Sequence, residues 1–132
     1  MEDGLVTIVS RRSAGDTMDA LIEAIVKAGM TVFARIDHAA NAASVGLSLR
    51  PTELVMFGNP AKGTELMLDE QSSGLDLPFR ALAWEDENGE VWLTYNDPHW
   101  IGRRHELDYK SHGVLAAIES GMASLARWAT GT

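Results

Sequence analysis

A polar junction at Phe57 to Thr64 limits the folds open to this chain more than any other segment. Residues 53–57 form a nearly continuous apolar run, which is typical of a strand inside a sheet. Asn59 and Pro60 follow, and this pair favours a helix start, because Asn accepts hydrogen bonds from free backbone N–H groups and Pro needs no partner there. We therefore predict a central strand that leads directly into a short helix, at about residues 61–70.

Apolar periodicity predicts the elements on either side of this junction. Residues 5–10 and 31–37 have the β-branched, alternating composition of strands. Between them, helical spacing predicts an amphipathic helix that Asp16 or Thr17 would cap. A last helix is predicted to begin near Ser111, and its Gly121 is expected to mark a close contact with the sheet. The apolar stripes of these two helices are Met18, Leu21, Ile22 and Ile25, and Leu115, Ile118, Met122 and Leu125.

The resulting order is β-α-β-β-β-β-α, with an insert between the second and third strands. Consecutive strands can run as a meander, and two main helices on one face would cover it. We predict an α+β fold, a two-layer sandwich with a mostly antiparallel sheet. The chain has 132 residues, 45% of them hydrophobic, which fits a single domain over residues 1–132.

Asn88 and Gly89 lie between two alternating strands and predict a two-residue hairpin turn of type I′. This turn fixes which residues face each other across the two strands. The facing pairs would be Trp84 with Leu93, Leu82 with Tyr95, and Arg80 with Asp97. The four apolar members of these pairs would then share the core face of the sheet.

The net charge of −8 is concentrated in one segment, since residues 65–108 hold eleven acidic and three basic residues. A nucleic-acid-binding protein needs a basic surface to displace counterions, so we expect no nucleic-acid partner. An anionic membrane surface is disfavoured for the same reason. The chain has no cysteine, which excludes disulfides and thiol catalysis.

The start of the chain, residues 1–4, is acidic and lacks the features of a secretory signal. No apolar run approaches the roughly 20 residues of a membrane span. We therefore expect a cytoplasmic protein that does not associate with membranes.

Several short motifs, taken in order, resemble one protein family. They are Ile36-Asp37-His38, Phe57-Gly58-Asn59-Pro60, Gly63-Thr64, Leu75-Asp76-Leu77-Pro78 and the strand end from Trp92 to Pro98. Together they resemble the family called domain of unknown function 302, over nearly the whole chain. The resemblance implies a βαβ₄α fold like the repeat of the TATA-binding protein, and it implies a homodimer. It brings no established activity and no agreed catalytic residues.

In an antiparallel meander, the end of the third strand, the start of the fourth and the end of the fifth meet at one edge of the sheet. The polar residues at this edge are Asn59, Lys62, Thr64, Arg80, Asp97 and His99. The helix that starts at Pro60 would point free N–H groups and the positive end of its dipole into the same space. This arrangement predicts a site for a small anion or carboxylate. The alternative is that these residues only cap helices and shape turns, with Arg80 and Asp97 forming an edge ion pair.

Asp37 and His38 form a second polar pair, at the end of the second strand and so at the opposite edge of a meander. The histidine is a candidate base or ligand, and capping of the next helical turn is the alternative. The four histidines show no spacing typical of a metal site, so we expect no metal and no cofactor. No Ser/His/Asp arrangement is legible in the sequence.

Three functions remain open from the sequence. The first is a homodimeric module that binds a small, anionic molecule or has an accessory role. The second is a small enzyme, of hydrolase or isomerase type, that uses His38 or His99 with a nearby Asp as the base. The third is a structural or protein-interaction domain with an apolar face left over as a dimer interface.

Overall fold

In the computed structural model, which describes residues 4–132, five strands form one antiparallel sheet in the order β1-β5-β4-β3-β2. The elements, in chain order, are β1 (Leu5–Ser10), α1 (Ala14–Lys27), β2 (Thr31–Asp37), α2 (His38–Ser44), β3 (Thr52–Gly58), α3 (Pro60–Asp69), β4 (Phe79–Glu85), β5 (Val91–Asn96), α4 (Pro98–Arg104) and α5 (His112–Thr130). The predicted α+β class, strand order along the chain and antiparallel meander are confirmed. Residues 1–3, part of the acidic start discussed above, lie outside the described residues.

The two long helices, α1 and α5, pack against each other and against one face of the sheet. Successive side chains of a strand point to opposite faces of the sheet, so every second strand residue meets the apolar stripes of these helices. The core includes Met18, Leu21, Val55, Leu93 and Leu115, each at most 1% exposed. Within residues 4–132, the opposite face, the outer sheet face, carries no helix of comparable length, and it holds half-buried side chains. Its central members are Leu54, Met56, Leu82, Trp84 and Trp92.

Side-chain caps explain where the helices begin. Ser13, not the predicted Asp16 or Thr17, caps α1 and accepts a hydrogen bond from the Asp16 N–H at 3.1 Å. The predicted cap of α3 is confirmed: Asn59 Oδ1 accepts from the Ala61 N–H at 2.9 Å, and proline occupies the first turn. For α1, the sequence offers several adjacent residues that could cap the helix. The observed cap is Ser13 because it has extended backbone and directly precedes the first helical residue.

The β4–β5 hairpin differs from the prediction by one residue. Its loop has three residues, since the Asp86 N–H donates to Glu90 O at 2.8 Å and the Gly89 N–H donates to Asp86 O at 3.1 Å. Gly89 has φ +79° and Asn88 does not share a positive φ, whereas a type I′ turn needs two such residues. The predicted facing pairs are therefore wrong. The observed pairs include Ala81 with Tyr95, Ala83 with Leu93 and Trp84 with Trp92.

This shift moves Leu82 and Trp84 from the predicted core face to the outer sheet face. Ala81 and Ala83 occupy the core face instead and are buried beneath the helices. Small residues at these positions leave room for α1, which packs against β4. The large aromatic rings stay on the uncovered side, where Trp84 and Trp92 lie with ring centroids 6.4 Å apart.

The edge strand β2 contains a bulge at Phe33. Val32 pairs with Phe57 and Ala34 pairs with Met56, so Phe33 is the extra residue in β2. A bulge of this kind redirects side chains and increases the local twist. Phe33 remains half exposed and, as described next, contributes to a cavity.

Candidate functional site

A cavity of about 490 Å³ lies beside the junction that connects β3 to α3. Its walls come from α3, from the middle of α5, from the turn between α1 and β2, and from the start of β4. Three of the predicted site residues, Asn59, Lys62 and Thr64, line it. The cavity opens to solvent, because Lys62 and Gly121 are both lining and exposed.

Most of the lining is apolar. Phe57 and Phe79 face each other across β3 and β4, both are buried, and both line the cavity. The bulged Phe33 adds a third aromatic ring from β2. Methionines from the α1–β2 turn, α3 and α5 also belong to this lining, namely Met30, Met67 and Met122. The site therefore suits a hydrophobic ligand body far better than a bare inorganic ion.

Gly121 forms part of the α5 wall and leaves the cavity open. A Cβ built at this position would meet no other atom within 4 Å. The expectation of a close helix–sheet contact at Gly121 is therefore wrong, because the space that the missing side chain leaves belongs to the cavity.

The polar end of the cavity differs from the prediction in one respect. The N–H groups of Ala61 and Lys62 point to Asn59 Oδ1 at 2.9 and 3.4 Å, and the Gly63 N–H donates to Asn59 O at 2.9 Å. The first turn of α3 thus offers at most the weakly held Lys62 N–H to a ligand. Within residues 4–132, the Lys62 ammonium has no carboxylate within 4.0 Å. Lys62 and the helix dipole remain as the positive groups at this end.

The C-terminal end of α3 is tied to the start of α5. Ser111 Oγ donates to Asp69 Oδ2 at 2.5 Å, and the Asp108 N–H donates to the same oxygen at 2.8 Å. These hydrogen bonds, with that from Ser111 first, hold the pKa of the Asp69 carboxyl below its usual range. Ser111 is therefore used to connect the two cavity walls, and its side chain does not cap α5.

The structure does not bring the remaining predicted residues into this cavity. Arg80 lies between the core residues Phe79 and Ala81, so its side chain projects from the outer sheet face. There its Nη2 donates to Leu75 O at 3.2 Å. Asp97 caps α4 and accepts from the His99 N–H at 2.9 Å. Among the ion pairs of residues 4–132, none joins Arg80 to Asp97.

His99 lies on a second, smaller cavity of about 350 Å³ between α4 and α5. Its Nε2 is 3.4 Å from Glu119 Oε1, in a pair that is largely exposed on the Glu119 side. The candidate edge of the sheet is therefore divided. Asn59, Lys62 and Thr64 line the larger cavity, and His99 lines the smaller one.

Asp37 and His38 lie at the opposite edge of the sheet, as predicted. Asp37 Oδ1 accepts from the Ala40 N–H at 2.9 Å and so caps α2. His38 is the first residue of α2 and is half exposed. In the part of the chain that the structure describes, its ring has no hydrogen-bond partner and no carboxylate partner, so this histidine lacks the neighbour that a catalytic base needs.

The fold assembles a chain of hydrogen bonds elsewhere that no sequence pattern indicates. His105 Nε2 is 2.5 Å from Asp76 Oδ2, and His105 Nδ1 is 2.9 Å from Ser72 Oγ. Arg104 Nη1 donates to both carboxylate oxygens of Asp76, at 3.0 and 3.1 Å. These residues come from the 3-10 turn at Gln71–Asp76 and from the end of α4. About thirty residues separate the two segments, so no local motif could reveal the contact.

In residues 4–132, no helix combines the length and hydrophobicity needed to cross a membrane. The curated relatives include two proteins named "Fluoride-specific ion channel FluC 1", from Brucella suis biovar 1 (strain 1330) and Brucella abortus biovar 1 (strain 9-941). Each is 47% identical over 131 residues, which is 99% of this chain. The chain spans about half of their length, 52% and 48% respectively.

A solved structure confirms the fold. It is the crystal structure of an uncharacterised conserved DUF302 protein from Bacillus stearothermophilus, with a TM-score of 0.83 and 17% sequence identity. The superposition covers 95% of this chain and 97% of the other. The model of the family "Domain of unknown function DUF302" matches residues 6–125. This chain therefore belongs to the DUF302 family.

Proposed function

We propose that this domain binds a small molecule with an apolar body and one anionic group. The observation that carries the proposal is the cavity of about 490 Å³ with three phenylalanines in its lining and Lys62 at its polar end. Its volume lies within the range of about 300–1,000 Å³ that is typical of small-molecule sites.

The lining favours a hydrophobic ligand body of variable shape. Aromatic rings give large contact areas with little loss of side-chain freedom, and Phe57 and Phe79 are held rigidly by strand pairing. Methionine side chains are flexible and polarisable, so Met30, Met67 and Met122 can adapt to different ligand shapes. An alkyl or aryl chain of moderate length fits this chemistry.

The anionic group is assigned to the end near Lys62. Its ammonium is the charged group of the cavity lining, and the dipole of α3 adds positive potential at the same end. Thr64 supplies a hydroxyl nearby on the same helix. Because Asn59 already occupies the first N–H groups of α3, recognition of the anion depends on Lys62 more than on the backbone.

The proposal is tested by thermal shift and calorimetry with a panel of octanoate, 3-phenylpropionate, octanol, acetate and sodium fluoride. We expect octanoate and 3-phenylpropionate to raise the melting temperature, and acetate and fluoride to have no effect at equal concentration. Lys62→Ala should weaken octanoate binding by about 2- to 5-fold, as for a partly exposed charge pair, and leave octanol unchanged.

Lys110→Ala is the matched control, because Lys110 is exposed and lies outside the cavity lining. A panel in which no compound shifts the melting temperature would remove the proposal. A response to octanol alone would remove only the anionic group. If fluoride raises the melting temperature and Lys62→Ala abolishes this rise, the cavity is a site for simple anions and the proposed ligand with an apolar body is wrong.

We also propose that the domain is a cytoplasmic homodimer with an accessory role. In the curated relatives named as fluoride channels, the matched segment is accompanied by about as much chain again. This arrangement favours a module that senses a ligand beside another activity. The outer sheet face supports self-association, since its central side chains are apolar and only half buried.

A further inference from the structure

We propose that Ser72, His105 and Asp76 form a second site, in which Ser72 is an activated nucleophile toward small carboxylic esters. The proposal is independent of the cavity, because none of the three residues lines it. It depends on the continuous chain Ser72 Oγ–His105 Nδ1, 2.9 Å, and His105 Nε2–Asp76 Oδ2, 2.5 Å.

The partners of the ring decide which nitrogen carries the proton. An ionised carboxylate can only accept hydrogen bonds, and both oxygens of Asp76 already accept from Arg104 Nη1, at 3.0 and 3.1 Å. His105 Nε2 therefore donates its N–H to Asp76. In the neutral imidazole the other nitrogen, Nδ1, then has a free lone pair and accepts the hydroxyl hydrogen of Ser72. The two ring nitrogens exchange the roles that they have in the Ser-His-Asp template, but one still accepts from the serine hydroxyl while the other donates to the carboxylate.

Burial separates the roles of the three residues. His105 and Asp76 are each 9% exposed, so the base and the group that orients it are shielded from water. Ser72 is exposed on the 3-10 turn, where a reagent can reach it. The guanidinium of Arg104 packs over the ring of Trp100, 5.4 Å from its centroid. It also donates a hydrogen bond to Asp76 Oδ1, the carboxylate oxygen that does not contact His105. The ring of His105 is thereby held in one orientation.

The reaction follows from this arrangement. Ser72 Oγ attacks the ester carbonyl carbon while its proton moves to His105 Nδ1. The bond from that carbon to the alcohol oxygen then breaks, and the proton passes from Nδ1 to the leaving alkoxide. Water attacks the acyl-serine, giving up a proton to Nδ1, and the carboxylic acid leaves as Ser72 recovers its hydrogen. Ser72 lies outside both cavities, so small, activated esters are the expected substrates.

The test is covalent labelling of the full chain with a fluorophosphonate probe, followed by intact mass and peptide mapping. Hydrolysis of p-nitrophenyl acetate is measured in parallel. We expect one adduct, at Ser72, and none in Ser72→Ala. His105→Gln should slow labelling by about 100-fold or more, as expected for loss of a positioned base.

Ser44→Ala is the matched control, because Ser44 is also exposed but its Oγ donates to Asn41 O at 2.6 Å and has no histidine partner. Labelling of Ser44→Ala should equal that of the unmodified protein. The melting temperature of each variant shows whether it is folded. If His105→Gln does not fold, the Ser72→Ala comparison decides. No adduct in the unmodified protein, an adduct elsewhere, or a folded His105→Gln that labels at full rate would overturn the proposal.

Discussion

At the scale of single residues, Gly121 lines the cavity and adds no side chain to it. It lies on the wall that α5 contributes, and a side chain added there would enter open space. Glycine also weakens a helix by about 1 kcal/mol relative to alanine. The open cavity gives a reason for a glycine at this position despite that loss of stability. The helix cost can be read from the sequence, but the open space cannot, and there the same glycine suggested close packing.

Gly121→Leu is therefore expected to block ligand binding without damage to the fold. The leucine side chain would fill part of the cavity, and the better helix propensity should keep or raise the melting temperature of the free protein. Calorimetry with octanoate should show at least a tenfold loss of affinity. Gly113→Leu is the control, because Gly113 lies on the same helix, also has open space at its Cβ position and is outside the lining. Equal octanoate binding by the two variants would contradict the assignment of the cavity.

At the scale of elements, Asp86 hydrogen-bonds to the loop and to the second strand of the β4–β5 hairpin. Its Oδ1 accepts from the N–H groups of Asn88 and Glu90, and its Oδ2 accepts from Trp92 Nε1, each at 2.9 Å. These bonds close a three-residue loop in place of the expected two-residue turn. The hydrogen bonds, with that from Trp92 first, hold the pKa of the Asp86 carboxyl below its ordinary value.

The stabilisation from Asp86 should therefore depend on pH. A carboxyl with a lowered pKa stabilises the fold above its unfolded pKa of about 3.9, and this contribution is lost as pH falls through the lower, folded value. Asp86→Asn should lower the urea midpoint at pH 7, and the difference from the unmodified protein should shrink below about pH 4. Glu87→Gln removes a charge from the same loop and should change the midpoint little at either pH. A constant difference across this pH range would show that charge at Asp86 does not matter.

Local signals predict the elements of this fold, and tertiary contacts determine the site. The Asn59–Pro60 pair predicts the start of α3 because a cap depends on neighbours in sequence. The hairpin register was wrong because Asp86 reaches Trp92 across the strands, a contact that a dipeptide signal does not contain. The hydrogen bond between Ser72 and His105 joins segments far apart in the chain. The apolar lining of the cavity likewise comes from distant segments. For that reason the sequence places Asn59, Lys62 and Thr64 near one another, as the structure does, but it also groups Arg80, Asp97 and His99 with them, and these three lie elsewhere.

At the scale of the whole molecule, the outer sheet face is the surface best suited to a second copy. With a net charge of −8, two copies repel each other unless the interface lies away from the acidic residues. Among the strand residues that the structure describes, the register places only one charged side chain on this face, that of Arg80. The apolar centre around Trp84 and Trp92 therefore carries few charges, and the acidic group beside it is Asp86, whose Oδ2 accepts from Trp92 Nε1 at 2.9 Å.

If the proposed homodimer forms through this face, Leu82→Lys should convert it into a monomer, because each copy would bring a new positive charge to the centre of the interface. Light scattering on the purified protein measures the mass directly, and the unmodified chain should have twice its formula mass. Leu68→Lys provides the control, since Leu68 is exposed on α3, away from the sheet. A monomeric unmodified protein would contradict the proposed homodimer, and a dimeric Leu82→Lys variant would exclude this face.

The bulge at Phe33 also bears on how copies of this protein can assemble. An edge strand with a bulge pairs poorly with a strand from another copy, because the extra residue breaks the regular spacing of its backbone N–H and C=O groups. Fibre-like growth across β2 is thereby discouraged. Two copies that associate would accordingly pack face to face, and would not form one continuous sheet through β2.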